Sequence, residues 1–414
     1  MNKYLKFTVI GLIVFLSGFI IATSNNQISD DSEESNVKPV EEKNEYFSID
    51  LKYYPEEKTK KVNHKLDSLF KRIHKRHDFH GSVLVAQQGK VIFKGNYGYA
   101  NFSKKTKIDS NSIFQLASVS KQFTAGAILI LRDREMLKLS DTITEYFPDF
   151  PYKEVTVRHL LNHTAGLPNY FWIAEHKWKK DLAPTNSEML ELMNTADVNR
   201  FFRPGRKFDY SNSAYFVLAS IIEKVSKQSY ATFLRENIFN PLQMHNSYAY
   251  SFEHDAVHTN QLDGYRLYRG WRHAKIRGTV NDGVVGDKNI YSTAEDLYKW
   301  IIGLNSGNLI SEESLNLMYS NGETRYGRKI PYGFGFRLDF KNNEKRIYHY
   351  GRWNGFSTAL TQYTDDDLVV IALDHSSFRS MTYLNKSVKK IVLNNFKPDI
   401  DDMIYADSGT SISN

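Results

Sequence analysis

The stretch Gln115-Leu116-Ala117-Ser118-Val119-Ser120-Lys121-Gln122-Phe123-Thr124 decides how the rest of the chain is read. Proline is absent from Ser118 to Phe147, and apolar residues recur at Phe123, Ala127, Ile130, Leu131 and Leu137. That spacing predicts a long helix starting near Ser118. Residues three apart share a helix face, so Ser118 and Lys121 are expected side by side at the positive end of the helix dipole. A serine hydroxyl attacks only when a nearby base takes its proton. A lysine amine does this only when neutral, and its free pKa of ~10.4 leaves it charged at neutral pH. Burial and a second nearby cation bring that value down.

The Ser-x-x-Lys spacing recurs at Ser35/Lys38, Ser68/Lys71 and Ser387/Lys390. The first lies in an acidic polar stretch and the other two on amphipathic helical patterns, so all three read as solvated surface. Ser118 differs because it follows the short apolar run Ile113-Phe114-Gln115-Leu116. A serine at a helix start is usually only an N-cap, so partners elsewhere must decide. Phe208-Asp209-Tyr210-Ser211-Asn212 follows the turn Arg203-Pro204-Gly205. A tyrosine near Lys121 can share a proton between Ser118 and a leaving group, and Asn212 can hold Lys121 and a substrate amide. Tyr319-Ser320-Asn321 and Tyr383-Leu384-Asn385 share the Tyr-x-Asn pattern without a preceding Pro-Gly turn and read as structural. His349-Tyr350-Gly351 is the single His-x-Gly in the chain and sits at the end of a strand pattern. Glycine there lets a strand edge approach a substrate closely. The backbone N–H of Arg352, with that of Ser118, is placed to form an oxyanion hole. Taken alone, His349 reads as a buried histidine on an edge strand.

Around these motifs the chain reads as an α+β fold. Lys58 to Arg76 predicts an amphipathic helix with Val62, Leu66, Leu69 and Ile73 inward, followed by His74, His77 and His80 as solvated imidazoles rather than a metal site. Gly81 to Ala100 predicts a strand pair turning at Gly89. Asp141 to about Gly327 is mainly helices and loops. Strand signals return at Tyr332 to Phe336, Arg346 to Tyr350, Thr358 to Tyr363 and Leu368 to Asp374, before a last helix from Ser387 to Phe396. Strands at both ends with helices between imply an antiparallel sheet formed by both chain ends, flanked by helices, with an inserted helical subdomain. The cleft between the two is the expected place for a site. Residues 58–398 are expected to form this domain. Residues 1–24 carry Lys3, Lys6 and the apolar run Phe7 to Ala22, the layout of a signal peptide or uncleaved membrane anchor. Either directs the rest of the chain to the cell envelope, outside the cytoplasm. Residues 25–57 read as an acidic flexible linker and 399–414 as a polar tail.

In the 414 residues, 41% are hydrophobic and 14% aromatic, enough for a large core, and the net charge is +7. No Lys/Arg block is long enough for a nucleic-acid surface. The absence of cysteine excludes disulfides, thiolate nucleophiles and Cys zinc sites. Neither Gly-x-Ser-x-Gly nor His-Glu-x-x-His occurs, which argues against a nucleophile elbow and against a zinc hydrolase.

The three motifs, in one order, resemble those of the serine β-lactamase/penicillin-binding protein superfamily, specifically its class C-like, beta-lactamase-related serine hydrolases. The resemblance runs from about Gly81 to Phe396. It is supported by Arg158 to Pro168, Pro204-Gly205 to Tyr215, Asn240-Pro241-Leu242-Gln243-Met244 and Asp287 to Asp296. It implies that Ser118 is the acylated nucleophile, that Lys121 and Tyr210 are the general base pair, and that Asn212, His349 and Gly351 bind substrate. It implies no cofactor and no metal. His349 and Tyr350 replace the Lys-Thr of typical members. A mostly neutral imidazole argues against strong β-lactam turnover and points to the esterase and peptidase branches, and Tyr350 is expected to narrow the groove. His163 is expected to be a structural hydrogen-bonder. The expected substrate is an ester or D-amino-acid amide of cell-envelope type. The alternative is a non-catalytic envelope sensor, which intact Ser118, Lys121 and Tyr210 disfavour.

Overall fold

The computed structural model describes residues 49–341 and 344–397. The expected signal peptide or anchor, most of the acidic linker and the polar tail lie outside the described residues. Among the described residues no helix is long and apolar enough to cross a membrane.

The frame is a seven-stranded sheet of β1 (Lys52–Tyr53), β2 (Gly81–Gln87), β3 (Lys90–Tyr97), β6 (Arg337–Lys341), β7 (Glu344–Trp353), β8 (Phe356–Tyr363) and β9 (Leu368–Asp374), in the order β1-β3-β2-β9-β8-β7-β6. β4 (Tyr265–Tyr268) and β5 (Arg272–Lys275) form a separate hairpin. Every sheet pairing is antiparallel except β1 with β3. The two chain ends meet at its centre, with Gly81 opposite Asp374 and Gln87 opposite Leu368. β2 is buried along its whole length because both faces are covered. Leu84 and Ala86 face one core cluster, Val83 and Val85 the other. The β2–β3 turn holds Gln88 and Gly89 at φ 50° and 70°, the twist that a tight hairpin needs.

The outer face is covered by α1 (Glu56–His77) and α5 (Met381–Asn395), which bury Val62, Leu66, Leu69, Ile73, Leu384 and Val388. The inner face carries α2 (Lys121–Asp133), α3 (Asn212–Ser226), α4 (Ala294–Asn305) and the shorter helices of the insertion.

Several expectations change. Lys52–Tyr53 pairs with Lys90 and Val91, and Tyr54 packs its ring edge-on against Phe396 at 4.8 Å. The last residues assigned to the linker therefore belong to the domain. The long helix is shorter than expected: Ala117–Ser120 is a separate 3-10 turn, and α2 stops at Asp133. Glu135 takes φ 58°, and Met136 N–H and Glu135 N–H close on the carbonyls of Leu131 and Arg132, the pattern that terminates a helix. Leu137 packs from beyond that stop. The strand expected at Tyr332–Phe336 is a loop. Gly335, at φ +76°, passes so near the start of α2 that a Cβ would stand 2.8 Å from the Lys121 carbonyl oxygen. His80 is buried, not solvated.

One consequence of register positions the site. β6 pairs with β7 only from Lys341↔Glu344 to Arg337↔Tyr348. From His349 onward β7 has an edge that β6 leaves free, and the Ala117–Ser120 turn packs beside that segment.

Candidate active site

From Ser112 to Leu131 every residue is buried except Ser118. The turn opens to solvent at one side chain only, and that side chain is the hydroxyl. Ala117, just before it, holds φ +49°, a left-handed value that costs a non-glycine residue ~1–3 kcal/mol and persists only when the surroundings fix it. The fixings are visible. Leu116 N–H donates to the Ile290 carbonyl at 2.8 Å, and Thr358 Oγ1 donates to the Leu116 carbonyl at 2.6 Å. Ile290 N–H donates to Ser120 Oγ at 3.0 Å.

Lys121 is fully buried. Its Nζ lies 2.8 Å from Asn212 Oδ1, 2.8 Å from the Asp287 carbonyl and 3.4 Å from Ser118 Oγ. The first two atoms can only accept hydrogen bonds. A neutral amine has two N–H groups and one lone pair, so both N–H groups are committed and the lone pair faces the serine hydroxyl. Burial lowers the Lys121 pKa to about 8; the Asp287 carboxylate opposes that shift and the Arg337 cation adds to it. The requirement inferred for a lysine base, burial with a second cation, is met.

Tyr210 lies with its ring 5.0 Å from Lys121 Nζ. Burial raises its pKa; the nearby Ser118 hydroxyl and the Arg337 cation pull the other way. The phenol therefore stays protonated at neutral pH and is suited to passing a proton on, while Lys121 is the group able to take one. Its hydroxyl is buried, and its one side-chain hydrogen-bonding neighbour, the Ser118 hydroxyl, falls short of a full hydrogen bond. A buried hydroxyl without a full hydrogen bond is a stability cost. Tyr210→Phe is therefore expected to leave the thermal midpoint unchanged or higher while lowering kcat/KM by about 100-fold. Thermal unfolding and initial rates on one ester check both halves.

The loop that carries Tyr210 is held by His163, whose Nδ1 accepts from Ser211 N–H at 3.0 Å and whose carbonyl accepts from Asp209 N–H at 2.9 Å. His163 also stacks near the Tyr210 ring at 4.4 Å, the structural part expected of it. Ser211 caps α3 by accepting from Ala214 N–H at 3.2 Å, which places Asn212 at the first helical turn, facing Lys121.

The third motif divides in two. Gly351 lies against the nucleophile turn: a Cβ there would stand 2.3 Å from the Leu116 carbonyl oxygen and 3.0 Å from Ala117 Cβ. The next residue, Arg352, is on the β7 segment that β6 leaves free. His349 is buried, with Nδ1 2.9 Å from the Tyr350 carbonyl and Nε2 3.1 Å from the Tyr332 hydroxyl. The carbonyl can only accept, so the proton sits on Nδ1, and Nε2 accepts from Tyr332. Burial, with Lys121 and Arg337 nearby, holds its pKa well below the usual value. Both ring nitrogens are thus occupied by the protein, so His349 is the buried edge-strand histidine that its residues alone suggest and does not offer a ring nitrogen to substrate as the family resemblance implies. Tyr350 does not narrow the groove either. Strand alternation turns it to the opposite face, against the α1/α5 cluster.

Four contributors went unread in the sequence. Arg337, the first residue of β6, brings a permanent cation 5.2 Å from the Tyr210 ring. Asp287 supplies a backbone carbonyl, Thr358 anchors the turn, and Lys288 braces Asp287. Lys288 Nζ lies 2.6 Å from the Tyr170 hydroxyl and 3.2 Å from Asp287 Oδ1, under the rings of Phe171 and Trp353. Arg337 and Thr358 have no local signature, and Asp287 and Lys288 lie in a stretch that supports the family resemblance without showing their part; the roles of all four become visible only once folding brings them to the site.

Asp78, His80 and His273 come together away from the serine. His80 Nδ1 accepts from Tyr99 N–H at 3.0 Å, so its proton is on Nε2, which points at Asp78 Oδ1 at 3.0 Å. That tautomer leaves no lone pair facing a shared centre, and the group does not fit a metal ion.

The fold and this constellation are those of the serine hydrolases related to β-lactamases and penicillin-binding proteins. A family model described as Beta-lactamase matches residues 66–391, and the chain belongs to that family. It is 33% identical to "Penicillin-binding protein 4*" of Bacillus subtilis (strain 168) over 333 residues, 75% of this chain and 71% of that one. The chain spans 62% to 71% of the lengths of the curated relatives it matches. Among solved structures it is similar in fold to an octameric penicillin-binding protein homologue from Pyrococcus abyssi, with TM-score 0.68 and 24% identity over 80% of this chain and 78% of that one. It is also similar in fold to the D-amino acid amidase of Ochrobactrum anthropi SV3 in complex with D-phenylalanine, with TM-score 0.65 and 21% identity over 82% and 99%.

Proposed function

We propose that this chain is an exported serine hydrolase that forms an acyl-enzyme on Ser118, acting on an ester or D-amino-acid amide of cell-envelope type. The observation that carries this is the geometry of Lys121, whose Nζ is held 2.8 Å from two fixed acceptors and 3.4 Å from Ser118 Oγ, so that in the neutral amine the lone pair is the group left for the serine. Neutral Lys121 takes the Ser118 proton as the oxygen attacks the carbonyl carbon. The tetrahedral oxyanion is held by the backbone N–H groups of Ser118 and Arg352. Tyr210, still protonated, relays a proton from Lys121 to the leaving group, and water then releases the acid by the reverse route. Asn212 keeps Lys121 in place and offers its amide N–H groups to the substrate. With His349 turned inward, Arg337 is the half-buried cation beside the site, and it suits a substrate with a negative group beyond the scissile bond. Export rests on the amino-terminal sequence pattern.

The experiment is incubation with a fluorophosphonate, a fluorescent penicillin, a D-alanyl ester and a D-alanyl-D-alanine peptide, followed by peptide mass analysis. The expected result is an adduct on the peptide containing Ser118 with the fluorophosphonate, and turnover of the ester or the peptide. No adduct with either probe and no turnover of either substrate would overturn the reading.

A further inference from the structure

The hairpin β4–β5 takes no part in the chemistry above, and its composition is unlike the rest of the surface. From Tyr265 to Arg277 it carries Arg266, Arg269, Arg272, Lys275 and Arg277 and no acidic residue. Lys275 is paired with Asp263 at 2.8 Å. Among the described residues no carboxylate pairs with the four arginines. At the tip stand Leu267, Tyr268 and Trp271, exposed by 44%, 45% and 74%. Nothing in the fold requires three large apolar side chains to face water there, and the tip is not loose. The turn at Arg269 and Gly270 has φ 52° and 78°, a tight hairpin geometry.

The base is braced as well. His273 stacks on Phe102 at 3.6 Å, and its Nε2 lies 2.7 Å from Asp78 Oδ2. This gives the Asp78–His80–His273 group a structural task in place of a metal. Tyr265 N–H donates to the His375 carbonyl at 2.8 Å. Gly264 lies so close to the β7–β8 turn that a Cβ would meet the Asn354 carbonyl oxygen at 1.7 Å. The arm is therefore fixed to the end of the strand that carries Gly351. Lys275, Ile276 and Arg277 form one wall of a groove of about 860 Å³ whose other walls include Gln115, Asp282 and Asn354.

We propose that this hairpin docks on an anionic lipid bilayer, with Trp271, Tyr268 and Leu267 at the headgroup–acyl boundary and Arg266, Arg269 and Arg272 on lipid phosphates. Tryptophan and tyrosine favour that boundary because one end of each ring is apolar and the other polar. Arginines beside them gain from a negative surface potential. A dissolved polyanion would answer the arginines but give Trp271 no apolar environment, and that asymmetry selects the bilayer. Docking would turn the groove beside the hairpin toward the membrane surface, where an envelope substrate attached to lipid would reach it.

The full-length chain is mixed with vesicles of phosphatidylglycerol, or of phosphatidylcholine, carrying brominated acyl chains, and tryptophan quenching is read. No tryptophan precedes Trp172, so an amino-terminal segment entering the bilayer adds no signal of its own. Quenching is expected with phosphatidylglycerol. It is expected to vanish in Trp271→Phe and to need on the order of tenfold more lipid in Arg266→Glu/Arg269→Glu/Arg272→Glu. Hydrolysis of a soluble ester by these variants stays at the wild-type rate, which separates this proposal from the assignment of Ser118. No quenching, or quenching that survives Trp271→Phe, would overturn it. A shift in Trp271 emission with soluble polyphosphate, without vesicle quenching, would assign the arm to an anionic polymer and likewise end the bilayer proposal.

Discussion

Lys121→Arg is expected to slow acyl-enzyme formation by about 10⁴-fold, the upper range for loss of a positioned base. An arginine does not deprotonate in a protein, so the lone pair that faces Ser118 Oγ disappears while the positive charge stays. A broader guanidinium must also fit a fully buried site built for one nitrogen. Circular dichroism and thermal unfolding establish that the variant is folded before its rate is compared. The pH dependence follows from the same group. With the Lys121 pKa lowered to about 8, the amine is mostly charged at pH 6 and mostly neutral at pH 9. Wild-type kcat/KM is then expected to rise about tenfold per pH unit below 8 and to level off above it, with the midpoint belonging to the Lys121–Tyr210 pair. The arginine variant is expected to show no such rise. An arginine variant of wild-type activity would remove Lys121 from the role of base.

The reach of the sequence is clearest where the signal is local. Apolar spacing in α1 and in the hairpin β2–β3 predicts their buried faces because a surface element shows one face to water. The Ser118–Lys121 pair could be paired in sequence because three residues span a single turn, 3-10 or helical. The Asn212 contact was anticipated through its motif. The misses share one cause: they depend on what packs alongside. The long helix expected from Ser118, with Leu137 on its apolar face, is cut by a left-handed residue that happens to be glutamate, not glycine. The strand expected at Tyr332 gives way because the Gly335 loop must pass the Lys121 backbone. The family resemblance turns His349 toward substrate, but Tyr332, seventeen residues earlier, claims its Nε2, and the histidine is buried as its own strand pattern suggests. Tyr350 lies one residue along a strand, and one residue is the whole difference between the groove and the opposite face. Thr358 and Asp287 act through a hydroxyl and a backbone carbonyl that only the folded chain brings to the site.

Gly351→Ala tests whether the free edge of β7 must touch the nucleophile turn. The added methyl would stand 2.3 Å from the Leu116 carbonyl oxygen and 2.3 Å from Thr358 Oγ1, too near for either to tolerate. Leu116 cannot yield, because its N–H is bonded to the Ile290 carbonyl, so β7 must move off the turn. That shift also breaks the 2.6 Å bond from Thr358 to the Leu116 carbonyl. Overpacking of this kind costs ~1–3 kcal/mol of stability. The effect on rate is expected to be larger in proportion, since the backbone N–H groups of Ser118 and Arg352 separate, and loss of one oxyanion donor lowers kcat by about 10²–10³. Thr358→Val supplies the comparison. It removes the bond to Leu116 without pushing the strand, so stability should fall by a similar amount while kcat falls by roughly tenfold or less. Rates and unfolding midpoints of the two variants, measured together, separate loss of packing from loss of the cradle. If Gly351→Ala loses stability yet keeps wild-type kcat, the oxyanion is held by some other group, and β7 serves only to support the turn.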